Sequence, residues 1–134
     1  MKLVSVYSVL NAPAILYCLL SERTANQSIS HRRMPTAEEH IAFYIGRPYE
    51  SWRLIHCDDR YVGAVYLTKQ CEIGVSIFHE FLHRGYGRMA VELLLQEYVG
   101  KRLLANINPA NQPSIDLFES LGFKHIQNTY EKEA

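Results

Sequence analysis

The chain has 134 residues, 48% of them apolar and 21% charged, with 14 Lys and Arg set against 14 Asp and Glu. That length holds one domain, residues 1–134, around a single core, and the balanced charge lacks the basic footprint of a nucleic-acid binder. Three cysteines, Cys18, Cys57 and Cys71, lie on apolar stretches without Cys-x-x-Cys or metal-ligand spacing, so buried thiols in a reducing compartment are expected rather than disulfides or a metal site.

The apolar run from Lys2 to Leu20 faintly resembles a signal peptide, but Asn11 and Pro13 interrupt it and no small-x-small cleavage site follows. It reads instead as a strand, Leu3 to Val9, and then a helix in a cytoplasmic protein with no membrane contact. Asn11-Ala12-Pro13 starts that helix, which carries Ile15, Leu16, Leu19 and Leu20 to about Arg23. Thr24 to Pro35 is polar and aperiodic, a loop. Thr36-Ala37-Glu38-Glu39 fits a capping box opening a second helix with Ile41, Tyr44 and Ile45 inward, stopped by Gly46 and Pro48. Trp52 to Cys57 and Tyr61 to Leu67 are strands of a hairpin turning at Asp58-Asp59.

Glu72 to Gly100 then combines a strand, a glycine-containing turn and a helix. Ile73, Val75 and Ile77 alternate, while Ala90, Val91, Leu94, Leu95, Tyr98 and Val99 recur at helical spacing before Gly100. Between them His83-Arg84-Gly85-Tyr86-Gly87-Arg88 leaves a helix N-terminus open, with unpaired N–H groups that suit a phosphate or pyrophosphate. Neither the Walker spacing nor the third glycine of a dinucleotide fingerprint is present. Leu103 to Ile107 reads as a strand, Asn108 to Pro113 as the entry to a helix bearing Ile115, Leu117, Phe118 and Leu121, and His125 to Tyr130 as a last strand after Gly122. The predicted fold is α/β (α+β): a mixed sheet of about six strands flanked by four helices on both faces, in the order β-α-α-β-β-β-α-β-α-β.

In this order the pieces resemble the GCN5-related N-acetyltransferases (GNAT). Leu82-His83-Arg84-Gly85-Tyr86-Gly87 occupies the place of their Gln/Arg-x-x-Gly-x-Gly/Ala motif, and Asn111, Phe118 and Leu121-Gly122-Phe123 match their later pattern. The resemblance implies acetyl-CoA as co-substrate and no metal. Its pyrophosphate would rest on the N–H groups from His83 to Arg88, and its pantetheine arm beside Ile77, Phe78 and His79, with Asn111 and Phe118 near that arm. Leu82 departs from the usual Gln or Arg. Phe118 stands where many members carry a tyrosine that protonates the leaving thiolate, and phenylalanine has no proton to give; Tyr130 and Tyr86 are alternative donors.

Acetyl transfer to an amine needs a base, because the amine is protonated at neutral pH. Glu72 matches the position of a basic glutamate in several relatives, against a solvated strand end as its plain reading, and His79 is the other candidate. The loop with His31, Arg32 and Arg33 corresponds to the family's acceptor side, where two arginines suit an anionic amine such as an amino sugar or sugar nucleotide. The implied function is N-acetylation of a small-molecule primary amine by a monomer or homodimer. The alternative is a module that holds CoA without turnover.

Overall fold

The computed structural model describes residues 1–23 and 33–134. Four strands, β1 (Lys2–Ser5), β2 (Tyr49–Cys57), β3 (Arg60–Thr68) and β4 (Ile73–Ile77), pair antiparallel in the order β1-β2-β3-β4. Two turns set the register. Asp58 and Asp59 both take left-handed φ, 51° and 60°, as a two-residue hairpin of matching twist requires, and Cys57 pairs with Arg60. Between β3 and β4, Thr68 N–H donates to the Glu72 carbonyl at 2.8 Å while its hydroxyl accepts from Glu72 N–H at 2.9 Å.

The alternation of β2 and β3 divides the interior into two cores. On one face Ile55, Val65, Leu67 and Ile73 pack with Ala90, Val91 and Leu94 of α3 (Tyr86–Glu97) and Phe118 of α4 (Gln112–Ser120). A two-pronged ion pair, Arg53 to Glu97 at 2.7 and 3.0 Å, fastens β2 to the end of α3. On the other face Leu54 and Ala64 meet Val6 and Ala12, Leu16 and Leu19 of α1 (Ala12–Ser21), with α2 (Ala37–Ile45) alongside through Tyr44. The predicted helices on both faces are therefore present. Among the described residues, no helix is long and apolar enough to cross a membrane.

The sheet has four strands rather than about six, and the observed order is β-α-α-β-β-β-α-α. Predicted strand Leu103 to Ile107 pairs only through one isolated parallel bridge at the start of β4, Glu72 with Leu104, among the described residues. With no ladder continuing there, His125 to Tyr130 has no edge to join, and Lys124 to Ala134 is exposed and irregular. The first strand is shorter than predicted, because Val6–Ser8 closes into a 3-10 turn that sends Val6 into the core. On α2 the inward residue is His40, whose Nε2 lies 3.1 Å from the Pro13 carbonyl; Ile41 and Ile45, expected inside, are 46% and 68% exposed. Burial holds the His40 imidazole below its usual pKa. The thiols also differ from expectation, Cys18 being exposed and Cys57 and Cys71 half-buried.

The capping box at α2 is as predicted: Glu39 N–H donates to the Thr36 hydroxyl at 3.1 Å and Thr36 N–H to the Glu39 carboxylate at 3.0 Å. Thr36→Ala should lower urea-unfolding stability by about 1 kcal/mol. The Arg33 guanidinium, and after it the Thr36 groups, pull the Glu39 carboxyl from 4.5 down to about 2. A folded pKa below the unfolded one contributes stability that is complete above pH 4.5 and lost as pH falls towards 2. Glu39→Gln should therefore reduce the difference between urea midpoints measured at pH 6 and in acid, whereas an unchanged difference would remove Glu39 from the acid response.

Candidate functional site

The N-terminus of α3 is open. Gly85 precedes the helix with φ 79°, left-handed, where a side chain is strained, and no side chain caps the first turn. The first intrahelical bond runs from Met89 N–H to the Gly85 carbonyl at 3.1 Å, which leaves the N–H groups of Tyr86, Gly87 and Arg88 without helical partners. The first turn carries no acidic residue. His83 is also left-handed, φ 63°, and Arg84 and Arg88 flank the opening, Arg88 paired with Glu92 at 3.1 Å. Positive dipole, donors and cations coincide here, as anion binding requires. Gly87 has a further role: a Cβ there would lie 3.1 Å from Leu117 Cδ1, so its smallness lets α3 approach α4.

Beside this opening runs an unpaired strand edge. Thr68 N–H bonds the Glu72 carbonyl and Phe78 N–H bonds Val62 at 2.9 Å, so the even-numbered residues of β4 carry the bonds to β3. The odd-numbered ones face the opposite edge. There Ile73 N–H donates to the Leu104 carbonyl at 2.7 Å and Leu104 N–H to Cys71 at 2.9 Å, and then the pairing stops. The N–H and C=O groups of Val75 and Ile77 thus point into a gap that no described residue fills. Such an edge accepts an extended chain of amides by strand addition. The edge and the helix N-terminus together suit a long ligand with phosphate at one end and amides along its arm, and the donors fit acetyl-CoA.

Glu72 sits at the closed end of that gap, half-buried, its Oε2 accepting a hydrogen bond from Asn106 Nδ2. On the same face, one residue pair along the hairpin, Tyr66 lies opposite Gly74. A Cβ on residue 74 would be 2.2 Å from Tyr66 Cζ and 2.4 Å from its hydroxyl, so the phenol end occupies the side-chain place of Gly74. Tyr49 stacks on the Tyr66 ring at 4.3 Å and 12°. Burial raises both phenol pKa values; Arg23 opposes the rise at both, and the Glu72 charge adds to it at Tyr66. Both hydroxyls are therefore protonated throughout the neutral range.

The other predicted residues divide by place. Phe78 closes β4, and its N–H is taken by Val62. His79 is tied to α1: its N–H donates to Glu22 Oε1 at 2.7 Å, with ring Nδ1 at 3.9 Å from the same oxygen. Seven residues of extended chain place it on the order of 20 Å from Glu72, too far for the two to act as one acid–base pair. Asn111 caps α4, its Oδ1 accepting from Ser114 N–H at 3.3 Å. Phe118 is 3% exposed and meets Phe123 edge-on at 5.1 Å. Arg33 is exposed, with its guanidinium on Glu39 at 3.1 and 3.2 Å; His31 and Arg32 fall outside the described residues. Of the alternative donors, Tyr130 is exposed on the C-terminal tail and Tyr86 packs near Phe81. Sequence reasoning missed Tyr66 and Tyr49, for which a glycine inside a strand was the available signal.

A family model described as an acetyltransferase (GNAT) domain matches residues 7–124. No curated protein sequence matches the chain. Among solved structures, a domain from Methanocaldococcus jannaschii is 26% identical with TM-score 0.79, over 92% of this chain and 88% of that one. An N-acetyltransferase from Staphylococcus aureus is 19% identical with TM-score 0.71, over 94% and 83%. The protein yncA from Salmonella typhimurium, solved with its cofactor acetyl-CoA, is 20% identical with TM-score 0.66, over 91% and 77%. The last two, below 25% identity, speak for the fold.

Because Phe118 is enclosed by the α3–α4 core, a hydroxyl placed there is buried. Phe118→Tyr should lower urea-unfolding stability by about 1–3 kcal/mol. Wild-type stability in that variant would mean that the position opens onto solvent or onto the gap.

Proposed function

The chain belongs to the GNAT acetyltransferase domain family, and on that premise we propose that it moves an acetyl group from acetyl-CoA to a primary amine of a small molecule. The observation that carries this reading is the open N-terminus of α3 beside the unpaired edge of Val75 and Ile77. Backbone N–H groups from His83 to Arg88 hold the pyrophosphate, and the β4 edge takes the pantetheine amides. Acetyl-CoA supplies the activated acetyl group. Glu72 is the base: Asn106 holds its Oε2, and its carboxylate takes the proton from the amine. His79, bound to Glu22 at the far end of β4, is the weaker candidate.

The acceptor enters on the α1–α2 face, where Glu72, Tyr66 and Tyr49 lie; His31, Arg32 and Arg33, which precede α2 in sequence, are the residues proposed to meet it. An amino sugar or sugar nucleotide fits the cationic part of that reading, although the Arg33 fork must leave Glu39 to meet an anion. The second reading, a module that binds CoA without turnover, draws on the buried Phe118, which has no hydroxyl. Thiol release from acetyl-CoA with glucosamine, glucosamine phosphate, lysine and spermidine, measured beside CoA binding, separates the two.

Acetyl-CoA at a hundred times its Kd should stabilise the protein by about 2.7 kcal/mol, read as a rise in Tm. Gly85→Val, strained at its left-handed φ, should abolish the rise; a folded variant that keeps it would exclude this turn as the pyrophosphate site. Glu72→Gln keeps the shape and removes the basicity. It should lower kcat/KM for the amine by at least about tenfold at neutral pH, the deficit shrinking as pH rises and free amine accumulates. An enzyme with wild-type rates after that change takes its proton elsewhere.

A further inference from the structure

We propose that the Tyr66 hydroxyl is the group that donates to the departing sulfur, an inference resting on the acetyl-transfer reading above. Three observations place it there. An amide chain laid along the free β4 edge from the α3 N-terminus passes Ile77 and Val75 and is stopped at Ile73, whose N–H already belongs to Leu104. The end of the arm is thus confined to the level of Gly74, and Gly74 is where the Tyr66 phenol crosses β4. Finally, the hydroxyl forms no hydrogen bond with a described residue, while Glu72 stands one pair further along the same face. The groups facing the phenol are Tyr49, Arg23 and Glu72. Burial raises the pKa of the phenol above its ordinary value, which favours the protonated, donating form.

The step balances. The amine nitrogen bonds to the acetyl carbon and the carbon–sulfur bond breaks, its electron pair staying on sulfur. Glu72 takes the proton from nitrogen, Tyr66 gives its proton to sulfur, and the proton on Glu72 returns to Tyr66 through solvent. Acetylated amine and free CoA thiol are the products, and both side chains end as they began.

The test compares calorimetric binding of CoA with that of desulfo-CoA at pH 9, where a thiol of ordinary pKa is largely ionised. A donor aimed at the sulfur favours the thiolate, so Tyr66→Phe should weaken CoA about tenfold and leave desulfo-CoA unchanged. With the most reactive amine of the panel, kcat should fall at least about tenfold while KM for acetyl-CoA stays within about twofold. Gly74→Ala, which places a methyl group where the phenol lies, should reproduce the loss for CoA with Tyr66 still in the chain. Equal weakening of CoA and desulfo-CoA would make Tyr66 a packing residue and overturn the proposal, as would unchanged CoA affinity in both variants. In either case a wild type that binds acetyl-CoA keeps the acetyl-transfer reading. A wild type that binds neither CoA nor acetyl-CoA overturns both.

Discussion

The arrangement depends on one interaction, the single parallel bridge between Glu72 and Leu104. Strand pairing there satisfies Ile73 and stops, and beyond it the backbone of β4 presents donors and acceptors with no partner among the described residues. Such groups are costly to enclose without partners, so the gap is either wet or filled by something that brings amides. Along this edge lie Glu72 at its closed end, the Tyr66 phenol over Gly74, the free backbone groups of Val75 and Ile77 next and the α3 N-terminus last.

Two cores hold that edge open. α3 and α4 pack beneath the sheet through Val91, Leu94 and Phe118, and α1 packs above it through Leu16 and Leu19. The second face also carries a chain of rings, Tyr7, Tyr44, Trp52, Tyr49 and Tyr66, each within about 6 Å of the next and extending to the Gly74 gap. Packed aromatic rings have few rotamers to lose, which makes this chain a rigid support for the Tyr66 phenol. The α1–α2 face is thus lined with side chains and this aromatic chain, whereas the β4 edge and the α3 N-terminus offer mostly backbone groups.

Legibility in the sequence follows the range of the interactions. The hairpin at Asp58-Asp59, the capping box at Thr36 and Glu39 and the open turn at Gly85 are local, and each was readable from a few adjacent residues. α2 was misoriented because Ile41 and Ile45 outweighed His40, whose burial depends on a carbonyl of another helix, that of Pro13. The predicted strand at Leu103 to Ile107 has the right pattern, yet a strand needs a partner throughout its length, and apolar alternation cannot show where two chains diverge. Tyr66 was hidden for a related reason. Its position over Gly74 follows from hairpin register, a relation between residues eight apart that becomes visible only when the glycine is read as an absent side chain.

The unpaired β4 edge has a consequence for the protein as a colloid. A row of free backbone groups flanked by Val75 and Ile77 is a template for a strand from any neighbouring chain, and nothing charged on the inner part of β4 blunts it. Natural sheets cover such edges with a helix, a bulge or a lysine, and under the proposed function the cover here would be the co-substrate. Under the proposed function a bound co-substrate would act as a folding partner as well as a reagent, and its scarcity would expose the molecule to edge-to-edge self-association.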